Sequence, residues 1–206
     1  MAEEQELPLF PLGLVALPTE AIPLHIFEER YKTMIGEAIA GETEFGIVWL
    51  SDDGLRATGC ACVVERVLER LDDGRMNVLC RGTRPFRVVE RIESRAYPAG
   101  RVAWLDDKDE PPDEKTAAEA REAYAELVME ATDEPADPEK LATMDAYAMA
   151  ATVDFGLDAK QGLLDLRSEN ARLRLVTRLF RAAVKRLDFI ERAEARARSN
   201  GRVRFG

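Results

Sequence analysis

An α+β fold, with a small β-barrel or sandwich followed by a bundle of helices, is what three features of this 206-residue chain predict. From Phe45 to Leu105 the apolar residues come in short runs broken by turn signals, the spacing of a small closed or layered sheet. After Lys115, alanine-rich segments carry apolar residues three and four apart and read as helices. Between the two patterns stand Pro111 and Pro112, adjacent prolines that halt one element and stiffen the link to the next. The expected division is a barrel over residues 1–112, a helical bundle over 113–198 and a tail at 199–206.

The first element is set by "LPLFPLGLVALPTEAIPLHIFEERY", Leu7 to Tyr31. Pro8, Pro11, Pro18 and Pro23 each lack an N–H and disfavour helix in the residue before, so this apolar run is extended, neither a membrane-crossing nor a signal helix. Phe27, Tyr31, Met34, Ile35 and Ala38 then share one helical face, which predicts one helix of about three turns. The runs "FGIVWL", "ATGCACVVERVLERL", "MNVLCRG", "PFRVVERIES" and "GRVAWL" follow as strands, about six with the opening one. Asp53-Gly54 and Asp73-Gly74 mark hairpins, because glycine supplies the positive φ of a tight turn. Beyond Pro112, "KTAAEAREAYAELVMEAT" is a helix, "DEPADPEK" a break, and "LATMDAYAMAATVDF" a helix stopped by Gly156. A last helical run extends from Ala159 to about Arg198, with Ser168 placed to cap its second part.

Charge narrows the function classes. With 29 basic and 39 acidic side chains the net charge is −10, which repels phosphate backbones and anionic membranes at long range. The imbalance is uneven: residues 106–139 hold fourteen acids and three bases, residues 167–204 twelve bases and four acids. Arg174, Arg178, Arg181, Lys185 and Arg192 fall along one helix face, read as a solvated stripe or a docking face for an acidic partner. Three cysteines, Cys60, Cys62 and Cys80, with no basic leader, argue against an oxidised secreted scaffold and make the cytoplasm the expected compartment.

Catalytic patterns are missing. No lysine follows a glycine, so the phosphate-cradling loop of a nucleotide hydrolase is not written here. Ser51, Ser94, Ser168 and Ser199 lack the Gly-x-Ser-x-Gly context of a nucleophile. Cys60 and Cys62 lie two apart on a strand and share a face, but a zinc site needs two further soft ligands, so the cysteines read as small buried hydrophobes. Asp52-Asp53, Asp72-Asp73 and Asp106-Asp107 are explained by turns. His25, the only histidine, reads as a hydrogen-bonded structural residue. No catalytic residue, metal or cofactor is expected.

The stretch from Leu7 to Tyr31 resembles the start of the N-terminal substrate-recognition domain of the Lon protease family: Pro-Leu-Phe-Pro-Leu, then Val-x-Leu-Pro, then Pro-Leu-x-Ile-Phe-Glu-x-Arg-Tyr. "FGIV", "GCACVVERV", "DGRMNVLCRGTRPFRV", "KQGLLDL" and "RLRLV" continue the resemblance in order, to about residue 190. Pro85, inserted between Arg84 and Phe86, and Thr58-Gly59-Cys60 depart from the pattern. The resemblance implies a PUA-like β-barrel followed by a C-terminal helical bundle. It implies a non-catalytic module without the ATPase and Ser-Lys protease parts, binding unfolded or tagged polypeptide in an apolar groove where barrel meets bundle. The implied contacts are Pro11, Leu12, Pro23, His25, Phe27, Glu28, Arg30, Tyr31, Gly82, Arg84 and Phe86. Two alternatives stand beside it: RNA binding through the arginine-rich last helix, and a small-ligand pocket where His25, Glu28, Arg30 and Arg84 converge.

Overall fold

The computed structural model describes residues 4–92 and 95–200. Contacts group the chain into two compact units: one holds the chain up to Asp109 together with Tyr147–Ser168, the other holds Glu110–Ala146 and the chain from Glu169 onward. The segment Tyr147–Ser168 thus belongs with the strands, where a boundary at 112 assigns it to the bundle.

The described residues of the first unit hold six strands: β1 (Glu4–Leu12), β2 (Ala21–Ile26), β3 (Phe45–Ser51), β4 (Gly54–Arg70), β5 (Met76–Ile92) and β6 (Ala99–Trp104). They pair in the order β2-β5-β4-β3-β1-β6, and β6 also pairs with β5, which closes five of them into a ring. The proline-rich opening segment completes it: Glu4 to Pro8 run antiparallel to β6, while Leu9 to Leu12 run parallel to β3. Both hairpins form where the Asp-Gly pairs predict them, with Gly54 and Gly74 at φ of 107° and 83°.

Two expectations about the strands change. The runs on either side of Pro85 are one strand of 17 residues, β5. Its outer edge pairs with β2 from Met76 to Arg81 and with β6 from Phe86 to Ile92, so Pro85 sits in the gap between partners, opposite a register shift at Cys60 and Cys62. A missing N–H is tolerated at such a bulge. The stretch after Pro18 is a separate strand, β2, because the chain turns at Thr19 (φ 67°) and Glu20.

Helix α1 (Glu29–Gly41) follows β2 and buries Tyr31, Met34, Ile35 and Ala38, the expected face without its first member. Phe27 precedes the helix and is 59% exposed. Of the other apolar residues in the opening stretch, Leu9, Phe10, Leu17 and Ile26 are buried, while Leu12, Leu14 and Leu24 are half-buried. Inside the ring, Phe86 is fully buried with Leu7, Leu9, Val48, Ala61 and Val102 around it. Glycine makes that possible: a Cβ on Gly46 or Gly59 would lie 2.4 or 2.7 Å from the Phe86 ring.

Later helices are shorter than their sequence runs. α2 (Glu114–Thr132) agrees with expectation, but the next run divides into α3 (Pro138–Thr143) and α4 (Ala146–Ala150). The last divides into α5 (Leu157–Asp165), preceded by Gly156 at φ 82°, and α6 (Glu169–Asn200), which starts right after Ser168. Of the expected tail, residues 201–206 lie outside the described residues. In the first unit α5 docks through Gln161 Nε2, which donates to the Thr58 carbonyl at 3.3 Å, and Lys160 Nζ, 2.5 Å from Glu20 Oε1. In the second, α2 packs on α6 with Tyr124 edge-on to Phe180, ring centroids 5.4 Å apart.

Gly82→Ala is expected to destabilise the first unit by about 2–4 kcal/mol in denaturant titration, because its Cβ would lie 2.0 Å from the Leu17 carbonyl oxygen and backbone must move. Asp113 caps α2, accepting from Thr116 Oγ1 at 2.7 Å and Thr116 N at 2.8 Å, and these bonds hold its carboxyl below the usual range. A depressed folded pKa stabilises above the unfolded value and stops doing so as pH falls through the folded one. Asp113→Ala should therefore lower the melting temperature near pH 7, and the gap to the parent should shrink below about pH 3.

Candidate functional site

β2 is the strand with one free edge that the sequence motif points to. Among the described residues it pairs with β5 alone, Ala21 opposite Arg81 through Ile26 opposite Met76. The period of two turns Ile22 and Ile26 inward and leaves Ala21, Pro23 and His25 exposed. A hollow of about 540 Å³ opens on this outer face, lined by Pro23, Leu24, His25, Leu68, Glu69, Asn77 and Val78.

Polar groups fix its shape. Asn77 Nδ2 donates to Glu69 Oε2 at 2.7 Å, which turns the Asn77 carbonyl oxygen toward His25 Nδ1, also 2.7 Å away. Because that oxygen can only accept, Nδ1 carries the proton and Nε2 is the free ring nitrogen. The His25 ring stacks on Phe27, centroids 5.9 Å apart and planes 23° apart. Leu68 is 49% exposed beside them, since the register shift between Val67 and Glu69 leaves it without an opposite residue on β5. Phe27 and Leu68 are thus exposed on either side of the outer face formed by β2, β5 and β4, and His25 between them is hydrogen-bonded to Asn77.

The remaining residues singled out in the sequence lie elsewhere. Pro11 and Arg30 line a second cleft, and Glu28 pairs with Arg30 at 2.8 Å. Leu12 is half-buried at the end of β1, opposite Trp49. Tyr31 is buried against Phe10 at 4.1 Å between centroids, and burial raises its pKa. Gly82 lies under the 17–20 turn, where its N–H donates to the Glu20 carbonyl and its carbonyl accepts from Thr19. Phe86 is core. Arg84 lies 3.4 Å over the Trp104 ring and pairs with Glu44 at 2.8 Å, so it shares no partner with His25, Glu28 or Arg30. Leu68, Glu69 and Asn77 were not singled out; the broken alternation of "VVERVLER" is the signal that a bulge turns residues outward there.

All three cysteines are buried and free, and among the described residues no group of three or more His, Cys, Asp or Glu is placed to hold a metal. Burial pushes the Cys80 thiol up to about 12; a hydrogen bond with Cys60, then burial, raises that of Cys62 well above its usual range.

The sequence pattern of the ATP-dependent protease La (LON) substrate-binding domain matches residues 6–182. The chain belongs to this family. Among Lon proteins, it is 28% identical over 196 residues to Lon protease 2 of Myxococcus xanthus, covering 85% of this chain and 23% of that one. With the Lon protease of Anaeromyxobacter dehalogenans the identity is 27% over 194 residues, 84% of this chain and 22% of the relative. The chain thus spans less than a quarter of the length of these relatives. A Lon N-terminal domain protein from Xanthomonas campestris superimposes with a TM-score of 0.63 at 25% identity, covering 82% of this chain and 95% of that one. The N-terminal domain of Mycobacterium avium complex Lon protease shares the fold, with a TM-score of 0.66 at 17% identity over 85% and 98%. The Lon family assignment makes this a substrate-binding type of domain, distinct from the family's protease and ATPase modules. Among the described residues no helix is long and apolar enough to cross a membrane.

Alkylation tests the buried thiols. Iodoacetamide near pH 8 should leave Cys60, Cys62 and Cys80 unmodified in the folded protein and label all three in denaturant, since burial keeps the reagent from the sulfurs.

Proposed function

We propose that this chain is a non-catalytic recognition module that holds extended polypeptide, from unfolded or tagged proteins, along the free edge of β2. The observation that carries this reading is a strand, β2, with one edge unpaired among the described residues, whose outer face carries the exposed Phe27–His25 stack and continues across β5 to the exposed Leu68. Main-chain pairing at such an edge gives affinity without sequence preference, and flanking apolar hollows select side chains. Membership in a substrate-binding family supports the same reading. In this reading Pro23 and His25 line the contact and Phe27 anchors it, while Pro11, Leu12, Glu28, Arg30, Tyr31, Gly82, Arg84 and Phe86 take no direct part in it.

RNA binding is the competing reading, favoured by Arg174, Arg178, Arg181 and Lys185, all exposed on α6. Fluorescence anisotropy separates the two. A labelled, permanently unfolded protein and a labelled single-stranded RNA are titrated with the full chain at the same physiological salt. Saturable binding of the unfolded protein is expected, weakened about 5- to 30-fold in Phe27→Ala and Leu68→Asp without loss of melting temperature, the range of an interface anchor. Binding of RNA alone, lost when Arg174, Arg178 and Arg181 become glutamate, would sink the polypeptide reading.

A further inference from the structure

A second cleft of about 390 Å³ lies in the same unit, away from the β2 hollow and sharing none of its lining. Its apolar walls include Pro11, Leu55 and Ile92, and Arg30, Arg91 and Arg95 stand among them. Two of these guanidinium groups are already matched: Arg30 by Glu28, at 2.8 Å and itself over the Tyr31 ring, and Arg95 by Glu6 and the Tyr97 hydroxyl. Arg91, exposed on β5, makes no ion pair among the described residues. Arg91 thus brings to the cleft a cation with no carboxylate paired to it among the described residues, on a chain whose net charge is −10. Such a local reversal of sign attracts an anion and holds it where water is partly excluded.

We propose that this cleft binds the C-terminal carboxylate of a peptide whose last residue is apolar. The chemistry selects that ligand over other anions. A guanidinium fork matches a planar carboxylate with two parallel hydrogen bonds. The apolar walls require the anion to bring an apolar body within a bond or two, and a chain end does so because carboxylate and side chain branch from one Cα. Nucleic-acid phosphate brings charge without that body, and an unfolded segment without a terminus brings the body without the charge. The proposal rests on the polypeptide reading above and adds to it: the module would sense chain ends as well as extended chain.

The test compares three labelled ten-residue peptides by anisotropy with the full chain: one ending Leu-Leu-Phe with a free carboxylate, its C-terminal amide, and an amide carrying an internal aspartate beside the same apolar residues. The free acid should bind about tenfold more tightly than either amide, the factor expected for one partly exposed, charge-assisted pair. Arg91→Ala should erase that difference, Arg91→Lys should restore part of it, and Arg87→Ala, exposed on the same strand outside the cleft, should leave it intact. Equal affinity for acid and amide would overturn the carboxylate site and leave the β2 reading standing. An internal aspartate as good as the terminus would overturn the commitment to chain ends. If no peptide binds while unfolded protein does, the cleft proposal falls alone; if neither binds, both readings fall.

Discussion

β5 must serve two partners along one edge, and the ring depends on the few residues where it changes from one to the other. Between Arg81, the last residue opposite β2, and Phe86, the first opposite β6, no strand of the described residues pairs with β5 on that side. The 17–20 turn fills the space, exchanging hydrogen bonds with Gly82 at 2.9 and 3.0 Å. Only a residue without Cβ allows that approach, and only a residue that needs no ladder partner can stand at Pro85, whose carbonyl accepts from Leu105 at 3.1 Å. One residue on, Phe86 enters the centre of the ring through space left by Gly46 and Gly59.

The same turn carries the main polar anchor of the unit. Glu20 accepts from the Leu17 N–H at 2.9 Å and faces Lys160 of α5 at 2.5 Å, both side chains largely buried. A buried pair of this kind adds little net stability while both members are present, but losing either leaves an uncompensated charge. It therefore acts as a lock on geometry, fixing α5 against the turn that also sits on Gly82. The ion pairs elsewhere on the strands, such as Arg81 with Glu65 and Arg101 with Glu90, are exposed and contribute little.

How much of this was legible depended on how local its cause is. The extended proline-rich segment, α1, both Asp-Gly hairpins and α2 follow from residues within a few positions of each element, and the sequence shows them. β2 as a separate strand, β5 as one strand through Pro85, and α5's place with the strands depend on register and on contacts over 100 positions away in the chain, as between Gln161 and Thr58. The site divides the same way. Pro23, His25 and Phe27 belong to one recognisable run, whereas Leu68, Glu69 and Asn77 reach it only because a bulged hairpin brings its far end beside β2. Gly82 and Phe86 shared a motif with surface residues yet serve the interior, since a motif read along the chain does not say which face each residue takes.

Pro23 has a consequence for how the molecule coexists with itself. An open strand edge invites a second copy to add its own edge, and repeated addition ends in fibres. A proline in the middle of a six-residue edge strand interrupts any continuous ladder built there, because one position can never donate. Whatever pairs with β2 must do so over a short span, which suits brief and reversible contact and denies the long, cooperative register that aggregation requires.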